Sequence, residues 1–314
     1  MSTASRHGLA SQVEIREVGP RDGLQPEAPV CVADRVRLIE SLVAAGARRV
    51  EVAAFVSPKA VPAMAGAAEL VAALGPLRGS SAEPVTFAAL VPNRRGAELA
   101  LEAGVDQITV TISISEAYSQ RNVHQSTAES EAGIADICSL AANSGGGAVP
   151  VDAVVSCSFG SPYEGDMAPA CVAALDRRLR AAGCSAITHA DTTGMATPHR
   201  IDALVDETGS NIGLHLHDTR GTALVNAYAA LQRGVHRFDT SIGGLGGSPF
   251  ADGAAGNLAT EELVAMLDDL GIATGFDIDG LVEAAVLAAD LVGHPVPSRV
   301  AVAGSRSRRA GATS

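Results

Sequence analysis

The sequence predicts an α/β fold, a (β/α)₈ TIM barrel with additional C-terminal helices, and three observations carry that prediction. Eight short β-branched runs alternate with helix-like stretches along 314 residues, a length that holds a barrel of about 250 residues with extensions. No shift in composition marks a linker between two domains. Hydrophobic residues make up 47% of the chain while aromatics are only 3% and Trp is absent, so the core has to be built from Ala, Val, Leu and Ile. That is the composition of a parallel sheet covered by Ala-rich helices. An open doubly wound sheet would ask for a Gly-rich fingerprint opening the first helix, and GPRDG at 19–23 does not supply one.

The units follow in order. The run at 13–18 precedes a helix at 32–45 that stops at Gly46, and the run at 48–55 precedes a weaker helical stretch at 61–74. Strands at 84–91, 107–113 and 149–157 lead to helices at 94–103, 127–142 and 168–182, the first and last of these closed by Gly104 and Gly183. Strands at 186–191, 212–218 and 237–242 lead to 198–207, 222–233 and 260–270, with Gly234 ending the middle one. The expected organisation is a flexible N-terminus over 1–12, a catalytic barrel over 13–275, a helical extension over 276–302 with one or two helices from 278 to 291, and a loose Arg/Ser/Gly tail over 303–314.

A formal charge of −12 argues against nucleic acid as a partner, and means that an anionic ligand has to be held by locally placed cations. The five cysteines, Cys31, Cys138, Cys157, Cys171 and Cys184, form no C-x-x-C pair or regular spacing, which fits reduced thiols better than a disulfide frame or a zinc ribbon. The first residues lack the apolar segment of a secretory signal, and apolar runs elsewhere stop well short of the ~20 residues of a membrane span. The expectation is a cytoplasmic protein with no membrane partner.

The chemistry concentrates in HLHD at 215–218. Strand side chains alternate faces, so His215 and His217 point the same way and can share a divalent cation. Barrel enzymes place their chemistry at the C-terminal ends of the strands, where several polar residues of this chain fall. Arg21 and Asp22 end the first run with Gln25 behind them, Glu51 lies on the second, Asp191 ends the sixth, and Asn257 follows the eighth. Asp22, His215, His217 and Asn257 make a mixed oxygen and nitrogen ligand set suited to Mg²⁺ or Mn²⁺ more than to zinc. Glu51 and Asp191 are read either as direct participants or as structural partners of Arg21 and a ligand. His189, two residues before Asp191, shares its face; it reads first as a core imidazole hydrogen-bonded inside the barrel, and as the alternative a replacement acid or relay just beneath the metal layer.

The blocks VGPRDGLQ (18–25), FVSPK (55–59), CSFGSPYEG (157–165), DTTG (191–194), HLHD (215–218), GGLGG (243–247) and GNLATE (256–261) together resemble the 3-hydroxy-3-methylglutaryl-CoA lyase family, over about residues 13–271. The resemblance implies a metal-dependent carbon–carbon lyase that releases acetyl-CoA by a retro-Claisen step. It implies Asp22, His215, His217 and Asn257 as metal ligands, Arg21 as the group that stabilises the enolate, and Glu51 and Asp191 as support. Asp22 and Asp191 are the candidates for the base. Gln25, Lys59, Arg121 and Asn122 are the candidates for acyl-CoA contacts, with Arg94 and Arg95 as further cations, and a homodimer is expected.

Two departures stand out. The family's glycine loop carries a cysteine after the second Gly-Gly, where this chain has Ser248, a far weaker acid than a thiol of pKa ~8.5. The family often has a lysine shortly after Gln25, where this chain reads Pro26, Glu27, Ala28. The open alternatives are a lyase for a related acyl-CoA such as citramalyl-CoA and a catalytically impaired metal- and acyl-CoA-binding homologue.

Overall fold

The computed structural model describes residues 9–79, 84–247 and 256–306. Eight strands pair in parallel and in sequence order, and β8 pairs back to β1, so the sheet closes. They are β1 (Glu14–Glu17), β2 (Arg49–Ala54), β3 (Thr86–Leu90), β4 (Gln107–Ser113), β5 (Val151–Ser156), β6 (Ala186–Ala190), β7 (Gly213–His215) and β8 (Arg237–Thr240). The helices in chain order are α1 (Val32–Ala44), α2 (Ala67–Ala73), α3 (Arg94–Ala103), α4 (Glu116–Val123), α5 (Thr127–Ala142), α6 (Pro169–Ala181), α7 (Pro198–Thr208), α8 (Ala223–Gln232), α9 (Thr260–Asp269), α10 (Ile278–Val292) and α11 (Arg299–Ala303).

Most expected elements fall within a residue or two of their places, and the exceptions have local causes. The stretch 61–74 breaks into a 3₁₀ turn (Pro62–Met64) and the short α2, because Gly66 sits between them in the left-handed region (φ 76°). Helix α4 has no apolar period in EAYSQRNV to announce it; its local signal is the N-cap, Ser115, whose hydroxyl accepts from Tyr118 N. Strand β7 stops at His215 rather than 218, where the chain turns from β6 to pair with residues 257–258. Helix α10 buries Leu281, Ala284, Ala285 and Ala288 at helical spacing and packs between α9 and α1, so the extension joins the outer helical layer. Helix α11 runs to Ala303, and residues 307–314 of the expected tail lie outside the described residues, as do residues 1–8.

The core lies in two places, between strands and helices and inside the sheet. Leu38, Ile39 and Leu42 of α1 and Val172, Leu175 and Leu179 of α6 are fully buried against the strands. The lumen is polar, with Arg16, Asp152, Thr188 and Asp239 stacked at its lower levels. The register slips between Glu51 and Ala53, and the Val52 carbonyl at the irregularity accepts from the buried Arg35 Nη2 at 3.1 Å. The five cysteines are unpaired, although Cys138 and Cys184, far apart in sequence, bring their sulfurs to 3.7 Å. Among the described residues no helix is long and apolar enough to cross a membrane.

Candidate active site

Strand β1 runs directly into a five-residue π-type turn, Gly19–Gly23, whose amides at Asp22 and Gly23 both point to the Val18 carbonyl. The turn is pinned by Glu17, fully buried, whose carboxylate accepts from Gly19 N (2.7 Å), Ile242 N (2.9 Å) and Thr260 Oγ1 (2.5 Å). Burial pushes the Glu17 carboxyl up to about 7 against those three donors. This residue was not singled out in the sequence, although a charged residue ending a buried strand was a usable signal.

The turn delivers Arg21 and Asp22 to the mouth of the barrel. Arg21 donates from Nε and Nη2 to Glu51 Oε2 (3.0 and 2.6 Å) and from Nη1 to Asp22 Oδ1 (2.6 Å). Three of its five N–H bonds are thereby used, and one on each terminal nitrogen is left for another acceptor. Removing one partner from such a buried ion pair typically costs ~3–5 kcal/mol, so Glu51 fixes the guanidinium rather than decorating it.

Asp22 Oδ2 accepts from Asn257 Nδ2 at 2.7 Å and lies 3.7 Å from His215 Nε2. Burial raises the Asp22 carboxyl, but Arg21 and His215 outweigh it and hold it below the usual range. Asn257 reaches this point because 257–258 run beside 216–217: His217 and Asn257 form an antiparallel bridge, and Leu258 N donates to Leu216 O (2.9 Å). Its Nδ2 also donates to Leu245 O (3.0 Å), leaving Oδ1 buried without a partner. Gly246 (φ 110°) passes so close that a Cβ there would stand 2.5 Å from Asn257 Nδ2, which only glycine avoids.

His215 and His217 face each other with their Nε2 atoms 3.2 Å apart. Adjacent ligands in an octahedral site with bonds of 2.0–2.1 Å stand ~3.0 Å apart, so the pair fits one cation between them. The unpartnered Asn257 Oδ1 adds an oxygen donor of the hard kind such ions prefer. Among the described residues no three His, Cys, Asp or Glu side chains, Asp22, His215 and His217 included, gather into a metal site by themselves, so the set depends on the Asn257 amide. Burial lowers the His215 imidazole, but the bond to Asp239 and the charge of Asp22 raise it overall; burial and then the His215 charge push His217 down to about 3.

A cavity of about 290 Å³ opens over these groups. Arg21, Asp22, Gln25, Asn122, His215 and His217 line its polar side, and Val56, Val61, Leu90, Tyr118 and Val154 line the other. Of the candidates for acyl-CoA contacts, Gln25 and Asn122 therefore face the cavity, whereas Lys59 is exposed and does not line it. Arg121 is also exposed, with its guanidinium over the Tyr163 ring at 4.1 Å. Arg94 and Arg95 are engaged with Glu98 on the surface of α3 (3.3 and 3.2 Å).

Two expectations are corrected. His189 does not lie beneath the metal layer: Thr188 and Ala190 take the luminal positions of β6, and His189 points outward toward α6. There Nδ1 meets Ser158 Oγ (3.2 Å) and Nε2 meets Asp176 Oδ2 (3.3 Å), all buried, so it is no acid for this cavity. Asp191 is not among the residues that line the cavity; Oδ1 accepts from Ala196 N (2.8 Å) and holds the loop after β6, and Oδ2 is buried without a partner. Burial pushes its carboxyl up to about 7 against the Ala196 and Met195 amides. Ser248 lies outside the described residues. Asp239, which the sequence reading missed, is the register partner of His215 on β8 and accepts from its Nδ1.

The HMGL-like family profile matches residues 12–287. The 3-hydroxy-3-isohexenylglutaryl-CoA/hydroxy-methylglutaryl-CoA lyase of Pseudomonas aeruginosa is 42% identical over 301 residues, covering 94% of this chain and 98% of the relative. The (R)-citramalyl-CoA lyase of Chloroflexus aurantiacus is 39% identical, covering 93% and 95%. The structure of a hydroxymethylglutaryl-CoA lyase from Acinetobacter baumannii, in complex with coenzyme A and 3-methylmalate, superposes with a TM-score of 0.87 at 34% identity, covering 98% of this chain and 99% of that one. Matched along nearly its whole length in sequence and in fold, this chain belongs to the HMGL-like family.

Proposed function

We propose that this protein cleaves a 3-hydroxyacyl-CoA of the hydroxymethylglutaryl-CoA type to acetyl-CoA and a keto acid, with Mg²⁺ or Mn²⁺ at the imidazole pair. The family typically uses a divalent metal. The observation that carries the reading is the meeting, at one cavity, of two Nε2 atoms 3.2 Å apart with a guanidinium fixed by Glu51. His215, His217, Asp22 and Asn257 would hold the cation, which supplies Lewis acidity toward a substrate oxygen.

The reaction removes the proton of the tertiary hydroxyl and breaks the bond between the hydroxyl-bearing carbon and the carbon beside the thioester. The first carbon becomes a ketone, and the bonding pair passes into the enolate of acetyl-CoA, which then takes a proton at carbon. Arg21 holds the enolate oxygen with its two remaining N–H groups, a contact stronger with the anion than with the neutral thioester. Asp22 takes the hydroxyl proton; it is the one of the two carboxylates weighed as base that faces the cavity. Gln25 and Asn122 orient the acyl group, and the apolar wall of Val56, Val61 and Leu90 keeps water from the enolate. Proton return to carbon falls to the glycine loop, where Ser248 stands in place of the family's cysteine. A cytoplasmic homodimer belongs to the same reading.

The second reading, citramalyl-CoA as substrate, rests on the resemblance to the Chloroflexus relative. One experiment separates them: acetyl-CoA release from hydroxymethylglutaryl-CoA and from citramalyl-CoA, by wild type and Ser248→Cys, before and after chelation. Release from at least one compound, abolished by chelation and restored by Mn²⁺, is expected. A gain by Ser248→Cys on hydroxymethylglutaryl-CoA marks an impaired ancestral activity, and a preference for citramalyl-CoA marks a changed substrate. No release from either compound, or release that survives metal removal, overturns the proposal.

A further inference from the structure

Behind His215 the lumen holds an ionic column that runs toward the opposite mouth of the barrel. His215 Nδ1 faces Asp239 Oδ2 at 3.3 Å, and Asp239 is gripped by Arg16 through Nε to Oδ1 (2.8 Å) and Nη2 to Oδ2 (2.7 Å). Arg16 Nη1 reaches Asp152 Oδ2 at 2.7 Å and Thr109 Oγ1 at 3.4 Å. All five side chains are buried.

The column settles where one proton sits. A forked guanidinium keeps Asp239 ionised, and an ionised carboxylate only accepts, so a hydrogen bond across the 3.3 Å to His215 requires a proton on Nδ1. That holds whether or not a proton lies between the two facing Nε2 atoms. The neighbouring imidazole is supported differently, since His217 Nδ1 is buried with no partner. One ligand is backed by a carboxylate and a fixed cation; the other is not.

Resting on the reading of this site as a divalent-metal centre, we propose that Asp239 is a positioning residue that locks His215 in its Nδ1–H form and presents the Nε2 lone pair to the cation. Arg16 and Asp152 hold Asp239 in turn. Three consequences follow from the geometry. In Asp239→Asn the guanidinium claims the amide oxygen, and the amide N–H₂ faces His215 Nδ1 as a donor. The imidazole proton is then forced to Nε2, where the cation has to bind. In Arg16→Lys a point charge cannot reproduce the fork, so Asp239 loses its orientation. Asp152→Asn disturbs only the far end of the column.

The test uses the full-length protein, with Mn²⁺ titrations by calorimetry and ¹⁵N-detected imidazole spectra of the metal-free form. Wild type should show a His215 signal with Nδ1 protonated, identified by its loss in His215→Ala. Asp239→Asn should move that proton and bind Mn²⁺ about 10- to 100-fold more weakly, the usual range for groups that orient a metal ligand. Arg16→Lys should lose less than Asp239→Asn, and Asp152→Asn least. If wild type binds no Mn²⁺, the metal reading falls and takes this proposal with it. If wild type binds Mn²⁺ and Asp239→Asn binds it equally well, the positioning role alone is overturned. Should Asp239→Asn not fold, the wild-type spectrum decides, because an unprotonated Nδ1 on His215 overturns the proposal by itself.

Discussion

His189 on β6 and His215 on β7 lie on neighbouring strands, yet the register pairs His189 with Leu214 and His215 with Ala190, one step out of phase. That single step sends them to opposite faces of the sheet. His189 enters the dry layer under α6, where a serine hydroxyl and a carboxylate satisfy both ring nitrogens. His215 enters the lumen among groups left incomplete, including His217 Nδ1, Asn257 Oδ1 and Glu51 Oε1. The comparison separates a polar residue whose ring nitrogens both have partners in the fold from an imidazole pair at the cavity, one of whose ring nitrogens is left without a partner in the fold.

The strongest challenge to this contrast is Arg21→Met. It should lower turnover by ~100- to 1,000-fold, the scale of losing a principal oxyanion donor, while Mn²⁺ binding stays near wild type. Steady-state kinetics and calorimetry on the same preparation check it, and parallel loss of both would make Arg21 a structural residue.

The histidines can then be compared directly. His215→Ala should weaken Mn²⁺ binding by more than ~10-fold, since losing a ligand exceeds losing the group behind it. His189→Gln should leave turnover within about threefold but destabilise the fold by ~1–3 kcal/mol, because Ser158 and Asp176 lose a buried partner. Urea denaturation with parallel assays reads both, and a severe turnover loss in His189→Gln with unchanged stability would reverse the assignment.

The smallest effect concerns Glu17, a buried carboxyl that already has its donors. Its folded-state value of about 7 lies above the ordinary 4.5, so the folded protein binds more protons than the unfolded chain between those limits. Stability contributed by this group is therefore fully present below pH ~4.5 and is lost as pH rises through about 7. Glu261, raised by burial to about 7, acts with the same sign. Glu17→Gln should flatten the fall in melting temperature between pH 5 and 7.5 without abolishing it, and an unchanged slope would remove Glu17 as a contributor.

Much of this molecule was legible beforehand because the relevant signals are local. Eight βα units specified the barrel, helix caps and glycines placed most ends, and the i, i+2 spacing of His215 and His217 put both imidazoles on one face. Arg21 and Asp22 were legible for the same reason, lying at the end of the first strand. The pairing of Arg21 with Glu51 is one of the two readings open for that carboxylate, and its hydrogen bonds are present in the fold. Asp239 and Arg16 were overlooked although RFDT and EIRE place charges inside buried strands, a pattern that in a closed sheet marks a polar lumen.

What the sequence determined by itself is relative phase: His215 and His217 do share a face, and both line the cavity. What only the tertiary structure decided is absolute phase and long-range contact. In a sheet with one wet face, alternation of apolar and polar residues shows which side is inside; in a closed parallel barrel both faces are buried, and that clue is missing. Hence His189 goes toward α6, while His215 and His217 go into the lumen. The 40-residue detour that brings Asn257 beside His217, and the closure of β8 onto β1 that sets Asp239 behind His215, are likewise settled by backbone pairing between distant segments, which no local pattern encodes.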